Sequence, residues 1–163
     1  MISFGQALRT EVRSQSTWIW VSVQDWVDCA NSLKGQGLVR CEWLTATHLS
    51  EQLFQVTFCV SDEFAGNKVV VVAETQDQID SIEQVYSIAR FHEREASQML
   101  GLSFNNSTDN SHGFNTEFSG YPLRRDYVLT ERVSHDWPGQ VDPEKVTKRR
   151  PALAPGVREE WLS

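Results

Sequence analysis

With 163 residues and 40% hydrophobic side chains, the chain has the length of one ordinary domain and enough apolar mass to bury a core. Its net charge of −7 is unevenly spread: residues 1–120 carry 7 basic and 15 acidic side chains, residues 121–163 carry 8 and 7, and so acidic a body lacks the clustered cationic face that duplex nucleic acid requires. Cys29, Cys41 and Cys59 are odd in number and widely spaced, which excludes a CxxC metal knuckle and a simple disulfide framework and predicts reduced core thiols in a cytosolic protein.

Residues 1–14 place Phe4, Ala7, Leu8 and Val12 near the helical period and predict a short amphipathic helix. No apolar run of signal-peptide or membrane-spanning length occurs, so any membrane association is expected through a partner. Thr17 to Val23, rich in β-branched and aromatic residues, predicts a strand. A helix follows in which Trp26, Val27, Ala30 and Leu33 share one face, with Gly35 and Gly37 ending it.

From Leu38 to Thr47 a two-residue alternation sets Val39, Cys41 and Trp43 against Arg40 and Glu42. Phe54, Val56, Phe58 and Val60 alternate with Gln55 and Thr57 in a second strand. Asp62 to Asn67 has turn chemistry, and Lys68 to Ala73 carries the four consecutive valines of a strand covered on both faces. Three strands in succession predict an antiparallel meander.

Ser81, with Gln84 three residues on, has capping-box spacing and predicts a helical region running to about Leu100, stopped by Gly101. Residues 103–120, dominated by Ser, Asn, Thr, Asp and Gly, are expected to be a loop. All five prolines lie beyond Tyr121, at 122, 138, 143, 151 and 155, with neither helical nor strand period, so an extended segment ordered on another surface is expected there. The resulting organisation is an α/β body with a charged helix over 1–104, a polar loop over 105–120 and an interaction tail over 121–163. The fold class is α+β: a two-layer domain with a mainly antiparallel or mixed sheet covered by helices, followed by an extended C-terminal tail.

Signals for independent chemistry are weak. His92-Glu93-Arg94-Glu95-Ala96 begins like the zinc-protease helix, in which two histidines four apart bind metal, but position 96 is Ala. His48, His92, His112 and His135 show no ligand spacing, and no nucleophile elbow, phosphate-cradling loop or dinucleotide fingerprint is present. The basic run Lys145, Lys148, Arg149 and Arg150 is flanked by Asp142, Glu144, Glu159 and Glu160, which suits a solvated or partner-bound tail. A small metal-dependent hydrolase using His92 and Glu93, and a nucleic-acid adaptor using the tail, are the readings outside the main one. No catalytic, cofactor-binding or metal residues are assigned.

Two segments carry the signal. Glu93-Arg94-Glu95 runs on to Met99, Gly101, Leu102 and Phe104; later come Gly120-Tyr121-Pro122-Leu123-Arg124-Arg125-Asp126-Tyr127. In order and character these resemble the two halves of the signature of the thirty-kilodalton subunit family of NADH-quinone oxidoreductase, respiratory complex I. There an E-R-E helix enters a D-M-F-G-I-x-F turn and a later G-H-P-L-R-K-D-Y motif leads into the tail. Gln98 and Ser97 depart from the family pattern, and the polar run Asn105 to His112 replaces its H-P-x-L-R-R-I-L stretch.

On helical spacing Arg90, Glu93 and Arg94 share a face and form a compact set of charge-assisted hydrogen-bonding groups, whereas Glu95 points elsewhere and is expected to tie the helix to its own domain. Pro122 stiffens the second motif, and the guanidiniums of Arg124 and Arg125, followed by Asp126, suit pairing with carboxylates and main-chain carbonyls. Those pairs can lie on a partner or staple the tail to the domain, and the two uses are compatible. The resemblance implies a non-catalytic subunit of a hydrophilic arm on the cytoplasmic side of a membrane. It would dock on the hydrogenase-like large subunit beside iron-sulfur subunits, with iron-sulfur clusters and quinone held by those partners and no cofactor here. An equivalent subunit of a ferredoxin- or hydrogen-linked membrane-bound hydrogenase-type complex is the alternative.

Overall fold

The computed structural model describes residues 7–64, 66–109, 111, 114 and 118–128, all within one compact unit, Met1–Leu129. His112, His135, the basic run from Lys145 and the prolines after Pro122 lie outside the described residues.

Seven strands and two helices occur among these residues: β1 (Arg9–Arg13), β2 (Ser16–Trp20), α1 (Trp26–Gly35), β3 (Arg40–Ser50), β4 (Leu53–Ser61), β5 (Lys68–Thr75), β6 (Gln78–Asp80), α2 (Ala89–Leu100) and β7 (Ser103–Asn105). The main sheet has the order β1-β2-β5-β4-β3; β2 and β5 run parallel and the other pairs antiparallel, so the sheet is mixed. β6 and β7 form a second, two-stranded parallel sheet. The domain is α+β, as its sequence predicts.

The β3-β4-β5 meander is antiparallel, as predicted, and β4 keeps its predicted inward face. Phe54, Val56, Phe58 and Val60 are buried, and β5 buries Val69, Val70, Val71 and Val72 because it lies inside the sheet between β2 and β4. Trp26, Ala30 and Leu33 of α1 close the core, with the Trp26 ring edge-on to Phe58 at 4.8 Å. The Asp62 carboxylate turns the chain between β4 and β5 by accepting from the Gly66 N–H at 2.7 Å and from Asn67 Nδ2 at 2.7 Å. The three cysteines are buried and free, and burial pushes the Cys29 thiol up to about 11 and the Cys41 thiol up to about 12.

Four expectations need correction. Residues 9–13 are a strand rather than a helix. Arg9 stacks on Trp20 and Arg13 on Trp18 across the β1-β2 hairpin, each at 4.8 Å, while Leu8 and Val12, the apolar face of the expected helix, stand exposed. In β3 a bulge at Glu42 breaks the alternation, so Cys41 points into the core, Trp43 points out, and Leu44 and His48 take the inward positions; Val39 precedes the strand and is exposed. Ser81 opens no helix: α2 begins at Ala89, after turns. The stretch after Gly101 is not all loop, because Ser103–Asn105 pairs with β6.

Candidate functional site

The two motifs meet at the C-terminal end of α2. That helix turns Ala89, Glu93, Ala96 and Leu100 into the domain, a spacing of four, three and four that makes one stripe. Glu93 is thus in the core at 1% exposure. Its Oε2 accepts from Ser81 Oγ at 2.5 Å and its Oε1 from the Ile82 N–H at 2.8 Å, while Ser81 Oγ accepts from the Glu83 N–H at 3.1 Å. Burial pushes the Glu93 carboxyl above the ordinary range, against the downward pull of those two hydrogen bonds.

Glu93 is therefore not on a face shared with Arg90 and Arg94. It is Glu93, and not Glu95, that ties the helix to its own domain; Glu95 is exposed. The helix stripe includes position 93 because Ser81 and the Ile82 amide need an acceptor there. Ala96, where a zinc-protease helix would carry its second histidine, is buried.

Arg94 reaches the chain after β7, donating from Nη1 to Asp109 Oδ2 at 3.2 Å and to Ser111 Oγ at 2.9 Å. Hydrogen bonds from Ser111, with smaller contributions from Arg94 and Arg90, hold the Asp109 carboxyl below its usual value. Gln98 donates to the Ser111 carbonyl, so two departures from the family pattern, at 98 and in the polar run, face each other. Arg90 is exposed and lies over the Phe91 ring at 4.9 Å.

Gly101 ends α2 in the left-handed region at φ 74°, and its N–H donates to the Ser97 carbonyl at 2.8 Å. The left-handed backbone favours glycine, and a Cβ here would also stand 2.7 Å from the partly exposed Tyr121 ring, which would have to shift. The chain past Gly120 then runs back along the helix end. The Leu123 N–H donates to the Met99 carbonyl at 3.0 Å, and Arg124 Nε donates to the Leu100 carbonyl at 2.6 Å. The Arg124 guanidinium lies between the rings of Tyr121 at 4.8 Å and Phe54 at 5.4 Å. The last-turn carbonyls, which a helix cannot satisfy itself, are in this way capped by the second motif.

Arg125 and Asp126 meet the end of β3. The Arg125 N–H donates to His48 Nδ1 at 3.1 Å, Arg125 Nη1 donates to the Leu49 carbonyl at 3.3 Å, and an Asp126 carboxylate oxygen stands 4.0 Å from His48 Nδ1. The His48 ring is buried and stacked on Phe54 at 5.0 Å. The Tyr127 ring packs over Gly120. Tyr121, Leu123 and Val128 leave much of their apolar surface in solvent, as do Ile88 and Phe91 on α2 and before it.

Ser81, His48, Phe54 and Asp109 all belong to this site, and none is assigned to it from sequence, where Ser81 is read as a helix cap and Phe54 as core. His48 alone had a signal: once the bulge at Glu42 is allowed for, it falls at an inward position of β3, and a buried imidazole requires a polar partner. Among the described residues no three His, Cys, Asp or Glu side chains group as a metal site would, and no helix is long and apolar enough to cross a membrane.

Fold and site together define an α+β module whose motif residues clamp a short C-terminal segment across a helix end and a strand end. The chain belongs to the family of the 30 Kd subunit of the respiratory-chain NADH dehydrogenase, whose model matches residues 19–133. It is 31% identical over 87 residues to an NADH-quinone oxidoreductase subunit of Parvibaculum lavamentivorans (strain DS-1), an alignment covering 49% of this chain and 42% of that protein. The chain thus spans under half the length of that relative. Among solved structures it resembles a trypsin-resistant fragment of Nqo5, at a TM-score of 0.56 and 14% identity over 62% of this chain and 88% of the fragment. It also resembles a chain of the membrane-bound sulfane sulfur reductase, an archaeal respiratory membrane complex, at 0.68 and 16% over 82% and 89%. At these identities the structural likeness is one of fold.

Proposed function

We propose that this chain is a non-catalytic subunit in the hydrophilic arm of an NADH-quinone oxidoreductase-type respiratory complex, on the cytoplasmic side of the membrane, docked on the hydrogenase-like large subunit beside iron-sulfur subunits. The observation that carries the reading is the family match over residues 19–133, which takes in most of the main sheet, α2 and the whole 120–128 segment. In this reading the clusters and the quinone sit on the partners, and the chain fixes those partners in register, since a misplacement of reacting groups by about an ångström can cost a large factor in rate.

The geometry supplies a way to do so. Arg124, Gly101 and His48 hold the 120–128 segment to the helix and strand ends, so its exposed side chains are presented from a fixed position. The exposed Ile88, Phe91, Leu123 and Val128, with the exposed Arg90, provide the aromatic, aliphatic and guanidinium surface that anchors protein contacts.

The test is purification of the tagged full chain from its native membranes. Hydrogenase-like and iron-sulfur subunits are expected in equal stoichiometry with it, and deletion is expected to abolish donor-driven quinone reduction by those membranes. Recovery without these subunits, and unchanged quinone reduction in the deletion, would remove the proposal. Assaying the same membranes with NADH, reduced ferredoxin and hydrogen separates the complex I type from the ferredoxin- or hydrogen-linked type.

A further inference from the structure

His48 is the point where two groups of the 120–128 segment, the Arg125 amide and the Asp126 carboxylate, converge on one buried ring. Its Nδ1 accepts the Arg125 amide at 3.1 Å, so the neutral ring carries its proton on Nε2. Nε2 is itself buried and has no hydrogen-bond partner among the described residues. The Asp126 carboxylate, with a side chain 62% exposed, stands 4.0 Å from Nδ1, too far for a hydrogen bond and close enough to become one with a small rotation.

We propose that His48 is a two-position proton latch for the motif segment. Neutral, it accepts the Arg125 N–H; protonated from solvent, it loses that acceptor and instead donates Nδ1–H to the Asp126 carboxylate. The same nitrogen cannot serve both partners, since the proton that enables the second contact removes the lone pair required by the first. Both partners are consecutive residues, so the exchange rotates the backbone at 125–126.

The charged groups around the ring set the balance. The Asp126 carboxylate favours the imidazolium. The Arg125 guanidinium, bound to the Leu49 carbonyl, and the Arg124 guanidinium, lying over the Phe54 ring that stacks on His48, oppose it. On α2, which packs against β3, His92 and Glu95 line a cleft with Ala46, two residues from His48. Exposed Asp126 is also the route by which a proton reaches a ring that is itself shielded from water. This inference concerns the chain's own residues and is independent of which complex carries it.

Nuclear magnetic resonance on the full chain tests it, with the His48 ring assigned through its contacts to Phe54 and followed across roughly pH 5 to 8, the interval in which imidazoles change charge. As Nδ1 becomes protonated, the exchange protection of the Arg125 amide is expected to fall about tenfold, while that of the Leu123 amide, bonded to the Met99 carbonyl, holds. Asp126→Asn, at an exposed position, removes the carboxylate to which the protonated ring would donate, so the fall in Arg125 protection over the same pH interval is expected to be smaller. A ring that remains unprotonated at Nδ1 until the domain unfolds, an Arg125 exchange response indifferent to Asp126→Asn, or loss of protection at Leu123 in step with Arg125 would each overturn the latch.

Discussion

Glu93 shows how a charged motif residue can be structural. Removing its side chain leaves the Ser81 hydroxyl and the Ile82 N–H without their acceptor in the core, so Glu93→Ala is expected to cost about 2–4 kcal/mol in urea unfolding. Glu93→Gln keeps an oxygen and a comparable shape and should fall within about 1 kcal/mol of the parent at neutral pH. The two variants also separate by pH. A carboxyl whose folded pKa is raised binds its proton more readily in the native state. Its contribution is therefore complete below the unfolded value, ordinarily near 4.5, and is lost as pH rises through the folded one. Stability of the parent protein should decline over that window, and Glu93→Gln should flatten the decline. A parallel pH profile in the Gln variant would show that other groups set the slope.

Gly101 makes a second prediction at the same scale. A Cβ there meets both a left-handed backbone and the Tyr121 ring, so Gly101→Ala is expected to destabilise by about 2 kcal/mol. The ring is partly exposed and can swing away, whereas the backbone cannot. In a Tyr121→Ala background the cost should shrink to about 1 kcal/mol, the backbone share, and a double-mutant cycle measures the difference. An unchanged cost would mean that the ring yields freely.

Among the elements, the β4-β5 turn depends on one side chain. Asp62→Ala removes the acceptor of Gly66 and Asn67 and should lower stability by about 1–2 kcal/mol without altering the near-ultraviolet circular dichroism of the folded state. This turn was legible in sequence, as were the β3-β4-β5 meander and the end of α2, because each is written in residues adjacent along the chain. What escaped reading depends on partners far away. Residues 9–13 suit either period over so short a run, and the strand wins because Trp18 and Trp20 lie across the hairpin to receive Arg9 and Arg13. Ser81 has cap spacing to Gln84, but its hydroxyl is held by Glu93, twelve residues on. The parallel pairing of β2 with β5, and of β6 with β7, leaves no local mark at all. In the site, the pairing of Arg124 and Arg125 with main-chain carbonyls was legible, whereas the burial of Glu93 was not, because its partners Ser81 and Ile82 lie outside the motif.

For the whole molecule, the question is whether a motif residue matters to assembly through its own domain or through direct contact, and Arg124 and Arg90 sit at the two extremes. Arg124 donates to the Leu100 carbonyl and fills the space between Tyr121 and Phe54, so Arg124→Ala strips a cap and a packed stem together. A loss of about 2 kcal/mol is expected, and Arg124→Lys should recover little of it, because an ammonium neither stacks nor reproduces the planar fork. Arg90 is exposed and among the described residues lies over the Phe91 ring, so Arg90→Ala should leave the melting temperature nearly unchanged. The two variants should then part company in membranes. If Arg124 acts by holding the segment in place, the Arg124→Ala complex should assemble poorly at growth temperature and recover at reduced temperature, following the folded fraction. Arg90→Ala should weaken co-purification of the large subunit equally at both temperatures, since it removes surface and leaves folding intact. The opposite pattern, with Arg90→Ala assembling fully and Arg124→Ala failing even when folded, would move the docking surface from α2 to the arginine motif itself.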